Sequence, residues 1–413
     1  MVTEANNRRF ANRVLAYILA LAVSADYLHR QVMAVILGPL AAEFTLNDKE
    51  MSWLPASYAL AFVLGSLFLT FTVDRFGQRR MLAASLFGLG LFSVVSAMLS
   101  SYPVMLLSRA LMGFSAALLA PAAQSMIGQY IDGGAKVKAV GLLSAASPFG
   151  LILGFGLWGI ISGKLGWQWA VVSSGVLTLI LGLVVWKNCP IEETSHRGEY
   201  SIAIMGRNVL DIFWIKSFRY LSLAFACTSV GLTASVQLNP TILVRSYGMT
   251  LEQAGIYLAL IFGILGVLSA LLSGQLVTLF EHRFSRISFW VCIGATVTSA
   301  PLYAAAYLAH SVAQMLMLLA AATLFGFLCA PQLLLVIQRV VPGHLSALAL
   351  GLTTACFTGF SMGISLPLVG WASDYLSADY GDAALRISMV VVPSIFYMIA
   401  LWFYALAARH FPD

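Results

Sequence analysis

Twelve stretches of about twenty or more mostly apolar residues, each parted from the next by a polar break, constrain this chain more than any other feature. Such a stretch is the length a helix needs to cross the roughly 30 Å hydrocarbon core of a bilayer. Only helices and closed barrels satisfy their own backbone there. The stretches fall at about 13–37, 51–73, 81–101, 103–128, 139–162 and 167–186, then at about 217–244, 251–279, 288–309, 312–339, 345–373 and 384–408. One long polar break, 187–216, divides six from six. The expected fold class is therefore an all-α membrane protein with twelve transmembrane helices in two six-helix bundles. The N-terminal bundle takes residues 1–186, a cytoplasmic linker 187–216, and the C-terminal bundle 217–413. The first stretch is too long for a secretory signal and lacks a small-residue cleavage site, so a retained span is expected.

Charge sets the class and the orientation. Only 10% of the residues are charged against about 25% in soluble domains, which excludes a soluble enzyme, a disordered chain and a nucleic-acid binder despite a pI near 9.1. With both termini inside, 17 of the 23 Lys and Arg fall in cytoplasmic segments, while Lys49, Lys164, Arg245 and Arg386 lie outside. That asymmetry obeys the positive-inside rule. Glu43, Asp48, Glu50, Asp374, Asp379 and Asp382 sit in two external loops. The five cysteines have neither disulfide nor zinc spacing, and no metal, cofactor or catalytic constellation is expected.

Between spans 2 and 3 the chain reads Asp74-Arg75-Phe76-Gly77-Gln78-Arg79-Arg80. Alone, this is a basic cytoplasmic cluster with a tight turn at Gly77. Together with twelve spans it resembles the signature loop of the major facilitator superfamily, Gly-x-x-x-Asp-Arg-x-Gly-x-Arg-Arg. The resemblance implies that Asp74, Arg75, Gly77, Arg79 and Arg80 form a cytoplasmic gate. Thr70 replaces the first glycine, and Ser273-Gly274 through His282-Arg283 is a weaker echo in the second half. Further stretches are similar to the bacterial Spinster-like branch, whose members carry lysolipids and related amphiphiles, and overlap with organic-anion symporters. They are His29-Arg30-Gln31-Val32, Pro39 to Phe44, Arg109 to Ala116 with Pro121, Val244 to Thr250, and Gly370 to Leu376 with Ala384-Leu385-Arg386. In those relatives an Asp precedes the span 1 arginine, and a Glu follows the span 4 arginine by seven residues. Here the two positions are His29 and Ala116, so the usual coupling carboxylates are missing.

Asp26, His29, Arg30 and Arg109 are the polar core of the first bundle. A charge at the bilayer centre costs about 2.5–3.5 kcal/mol on insertion scales, so such groups face a cavity or a partner. Asp26 and Arg30 stand four residues apart on one helix face and can neutralise each other. Arg30 and Arg109 both fall in the outer half and can jointly hold a carboxylate or phosphate. His29, with an unperturbed pKa of about 6.5, is either a histidine bonded within the bundle or, with Asp26, the proton-coupling site. Gln124, Gln237, Asn239 and Gln332 either orient substrate or bond across helices. Tyr58, Phe357 and Phe360 are candidates for an apolar cavity wall, and Pro148, Pro240, Pro331 and Pro367 for helix bends.

The expected function is secondary transport of an amphiphilic organic anion or lysolipid-like molecule by alternating access, driven by protons if His29 titrates. A small organic-acid or sugar-acid symporter is the alternative, and a transport-inactive receptor or scaffold the reading from another class. The expected setting is a monomer in the lipid bilayer, multi-pass, with both termini cytoplasmic, in a bacterial inner membrane.

Overall fold

The computed structural model describes residues 2–98, 101–190, 209–280, 287–342 and 345–410, and the side chains of 2–11, 70–75, 278, 280, 334, 346 and 347 are outside that description. The linker residues 191–208, the echo residues His282 and Arg283, and the side chains of Thr70, Asp74 and Arg75 thus lie outside the described residues. Among the described residues there is helix and no strand.

The helices separate into two compact units, one of residues 1–36 with 57–199 and one of 37–56 with 200–413. The first unit holds most of α1 (Val2–Glu43) and α2 (Asp48–Phe76), with α3 (Gln78–Met98), α4 (Tyr102–Ala116), α5 (Leu119–Tyr130), α6 (Gly133–Ser144), α7 (Ala146–Leu165) and α8 (Trp167–Asn188). The second holds α9 (Lys216–Tyr247), α10 (Leu251–Leu258), α11 (Gly266–Phe280), α12 (Ile287–Leu308), α13 (Val312–Val340), α14 (Ser346–Thr358), α15 (Ser365–Tyr380) and α16 (Ala384–His410). Two wide turns of π-helix, Ala259–Leu265 and Gly359–Ile364, join α10 to α11 and α14 to α15.

Among the described residues ten helical runs are long and apolar enough to cross a membrane. Helix α1 has the length, but Asp26, His29, Arg30 and Gln31 dilute its apolar middle. The run Leu348–His410 contains two crossings, divided at Gly381. Twelve spans result, as the apolar pattern predicts. Span 4 is α4 and α5 with a break at Ala117–Leu118, and span 5 is α6 and α7 with a break at Ala145. The four prolines take different places. Pro148 stands in the first turn of α7, where a missing N–H costs nothing, whereas Pro367 follows closely on the π-helical turn Gly359–Ile364 inside a continuous helical run. Pro240 and Pro331 lie inside α9 and α13, which continue through them.

Burial is inverted relative to a soluble protein. Ser93, Ser108, Ser174, Thr178, Ser235, Thr296 and Thr353 are buried, while Phe68, Leu107, Ile180, Leu271, Trp371 and Trp402 are exposed. Water does not tolerate such an exterior, and a bilayer does. In each unit one long helix is mostly buried. Helix α9 is buried nearly all round, and α1 is buried along most of 15–36. In the first unit Gly150 and Gly154 let α7 lie against Tyr27 and Gln31 of α1, and α3 packs on α4, α5 and α8. The second unit packs α12 on α13 and α16 on α9, α12 and α15.

Candidate functional site

The polar residues of α1 are buried, so each needs a hydrogen-bond partner. Asp26 takes two. The Arg30 Nε donates to its Oδ1 at 2.9 Å, and the Tyr58 hydroxyl of α2 donates to the same oxygen. The i, i+4 pair expected from the sequence is therefore formed, and Tyr58 belongs to it as a donor. Arg30 is also wrapped by rings, its guanidinium 4.8 Å from the Phe62 centroid, 5.3 Å from Tyr58 and 5.8 Å from Tyr27.

Arg109 enters from α4. Its guanidinium lies 5.1 Å from the centroid of the Tyr58 ring, and its two terminal nitrogens donate to the His29 carbonyl at 3.3 and 3.5 Å. Its Nε has no partner although the residue is only 6% exposed. Among the described residues Arg109 has no carboxylate, so Asp26, Arg30 and Arg109 carry a net positive charge in a buried place. The close approach of α4 and α2 depends on Gly113, one turn beyond Arg109. A Cβ there would meet the Tyr58 carbonyl oxygen at 2.0 Å.

His29 is 1% exposed, with Nε2 2.9 Å from the Thr178 hydroxyl of α8. That hydroxyl already donates to the Ser174 carbonyl at 2.8 Å. Nε2 must then be the donor, which leaves Nδ1 as the position open to a second proton. A cavity of about 10 Å³, water-sized, lies against His29, Arg109, Ser93 and Ser96. Ala116, at the position where the resemblance implies a glutamate, is buried in the apolar core at the end of α4.

The other expected residues are not gathered with these. Gln124 is exposed on α5. In the second unit Asn239 accepts from Tyr307 at 3.1 Å, with its Nδ2 unpartnered, and the buried Gln237 has an unpartnered Oε1. Gln332 donates to Ser273, to the carbonyl at 3.0 Å and the hydroxyl at 2.8 Å. Phe357 stacks on Phe225 at 4.9 Å. At the loop between α2 and α3, Gly77 takes φ 93°, a left-handed turn that favours glycine. Arg79 lies over the Trp186 ring at 5.0 Å and donates to the Cys189 carbonyl at 3.4 Å, while Arg80 is exposed.

Sequence reasoning missed Thr178, Phe62 and Tyr27 around the first site, and a centre built on Asp48 in the second unit. Asp48 receives Arg245 Nη1 at 2.9 and 3.1 Å and the Ser373 hydroxyl at 2.6 Å. Its own N–H and that of Lys49 donate to the Asp374 carboxylate at 2.9 and 3.2 Å. The external acids were visible as charges, but nothing local marked which of them would meet α9 and α15.

Comparison with known proteins identifies the family. A family model described as Major Facilitator Superfamily matches residues 19–366. A curated relative, the MFS-type efflux pump of Mycolicibacterium smegmatis, is 21% identical over 96% of this chain and 92% of its own length. The puromycin resistance protein pur8 of Streptomyces alboniger is 31% identical over a shorter match, 36% of this chain and 30% of that protein. The 3-(3-hydroxy-phenyl)propionate transporter of Escherichia coli is 25% identical over 60% of each. Among solved structures, an inward-facing, unoccupied bacterial homologue of the human lysosomal transporter Spinster superposes with a TM-score of 0.84. It is 19% identical and matches over 97% of this chain and 98% of its own.

Proposed function

Because the chain belongs to the Major Facilitator Superfamily, we propose that this secondary membrane transporter carries an amphiphilic organic anion, of the lysolipid-like kind, by alternating access. The observation that carries the reading is Arg109. A buried guanidinium with a free Nε, no carboxylate among the described residues and a second arginine beside the same tyrosine together concentrate uncompensated positive charge that suits an anion. A carboxylate or phosphate is what two forked guanidiniums bind best. The aromatic rings of Tyr27, Tyr58 and Phe62 around Arg30 supply apolar surface for the rest of an amphiphile. A small organic-acid or sugar-acid substrate is the second reading. It is favoured by relatives named as a 3-(3-hydroxy-phenyl)propionate transporter and a probable galactarate/D-glucarate transporter.

Proton coupling, on this proposal, runs through His29 with Asp26 as its neighbour one turn away. The protein is a monomer with both termini on the cytoplasmic side of a bacterial inner membrane, and the basic loop at Asp74–Arg80 is its cytoplasmic gate. Uptake into proteoliposomes tests the reading, with lysolipids, bile-salt-like anions and small organic acids as substrates. Arg109→Gln is expected to abolish saturable anion uptake, and His29→Gln to abolish accumulation driven by a pH gradient while sparing downhill exchange. Wild-type uptake by Arg109→Gln would sink the anion site, and full proton-driven accumulation by His29→Gln would sink the coupling role.

A further inference from the structure

A second cavity lies in the first unit, far from Arg109. It is a groove of about 530 Å³ between α1 and α6, lined by Asn12, Arg13, Ala16, Tyr17, Gly134, Ala135, Lys138, Ala139 and Leu142. Arg30 stands 17 positions after Arg13 on the continuous helix α1, about 25 Å at 1.5 Å per residue, so the two sites are distinct.

The groove is built in two layers. Its floor is apolar, with Ala16 and Ala139 buried and Leu142 half-buried. At its rim stand the exposed side chains of Arg13 and Lys138 and the ring of Tyr17, 58% exposed. Among the described residues, Arg13 and Lys138 make no ion pair or hydrogen bond and none of those lining the groove is acidic. By contrast, neighbouring Lys136 is engaged, donating to the Gly128 carbonyl at 3.2 Å. Helix periodicity accounts for the layering. Positions 13, 16 and 17 share one face of α1, and 135, 138, 139 and 142 share one face of α6. The charged members fall at the end where both helices leave the apolar stretch, and Leu142 lies deeper.

Two like charges facing one groove repel each other unless an anion sits between them. An apolar floor running from that point into the hydrocarbon layer suits an acyl chain. We propose that this groove binds one anionic phospholipid of the bilayer, its phosphate held between Arg13 and Lys138 and a chain laid along Ala16, Ala139 and Leu142. Arg109 and its neighbours take the transported molecule, and this groove takes a resident lipid.

Native mass spectrometry of the full-length protein tests this, with phosphatidylglycerol and phosphatidylcholine of matched chains as the probes. The wild type is expected to retain one phosphatidylglycerol in preference to phosphatidylcholine. In the double variant Arg13→Gln, Lys138→Gln the affinity for phosphatidylglycerol should fall about thirtyfold, from about 1 kcal/mol for each cation, with phosphatidylcholine unchanged. The wild type itself gives a second measurement that needs no variant to fold, since raising ionic strength should erode the preference. Equal retention of the two lipids by the wild type would overturn the proposal, as would an unaltered preference in the double variant. Displacement of phosphatidylglycerol by inorganic phosphate at equal concentration would also overturn it, because the groove would then be a site for the free anion.

Discussion

Asp26 and Arg109 are both buried charges of the first unit, yet they are held in opposite ways. Asp26 is satisfied twice over, by the Arg30 Nε and the Tyr58 hydroxyl, so removing its charge breaks the buried ion pair with Arg30. Asp26→Asn should destabilise the protein by about 3–5 kcal/mol, the usual cost of leaving one partner of a buried pair. Tyr58→Phe should cost less, about 1.5–3 kcal/mol for a bond to a charged acceptor. Among the described residues Arg109 leans on a carbonyl, the Met112 sulfur and a ring, with no carboxylate, so Arg109→Gln removes an unpaired buried charge and should leave the thermal midpoint unchanged or raise it. Thermal unfolding of the purified variants measures all three. A midpoint lowered as much by Arg109→Gln as by Asp26→Asn would show that Arg109 is structural after all. The spacing of Asp26 and Arg30 made their pairing legible in the sequence, because four residues on one helix meet by geometry alone. Thr178 was not legible, since the bond that orients His29 spans 149 positions.

At the scale of elements, the site depends on how closely α4 can lie against α2. Gly113 leaves no room for a Cβ, which would stand 2.0 Å from the Tyr58 carbonyl oxygen. Gly113→Ala must push the helices apart at the place where both Tyr58 and Arg109 are positioned. It should cost about 1–3 kcal/mol and reduce anion binding at the same time, in contrast to Arg109→Gln, which loses binding alone. The start of α2 offers a separate test. Asp48 joins the ends of α2 and α9 to α15 through Arg245, Ser373 and the Asp374 carboxylate. Because Arg245 is partly exposed, the ion pair itself is worth little. Asp48→Ala should therefore act locally, speeding amide hydrogen exchange over about 46–52 without changing the exchange of α9. Equal acceleration along α9 would mean that Asp48 supports the unit as a whole. The apolar pattern located the spans but not their interruptions. The π-helical turns at Ala259–Leu265 and Gly359–Ile364 and the break at Ala117–Leu118 leave hydropathy untouched, because a change in backbone pairing needs no change in residue type.

For the whole molecule the strongest expectation is orientation, since it rests on most of the chain's scarce charge. Seventeen of the 23 Lys and Arg fall on one side if the termini are cytoplasmic, and dropping or adding one span would scatter them. Arg80 and Asp379 are exposed near opposite ends of their helices, so single cysteines there report the two faces. Arg80→Cys should react with a membrane-impermeant maleimide only in inverted vesicles, and Asp379→Cys only in intact cells. The native thiols give a quiet background. Cys227, Cys292 and Cys329 are buried within spans, and Cys356 is half-buried in α14. Cys189, outside the spans at the end of α8, is 3% exposed, and burial pushes its thiol up to about 11 against the opposing pull of Arg79. At pH 7 its thiolate is then about one part in ten thousand, and since the thiolate is the nucleophile, its labelling should rise about tenfold per pH unit up to that value. Labelling at neutral pH thus reads the introduced cysteines alone. Reaction of Arg80→Cys in intact cells would reverse the topology, and with it the assignment of the basic loop at Asp74–Arg80 to the cytoplasmic side.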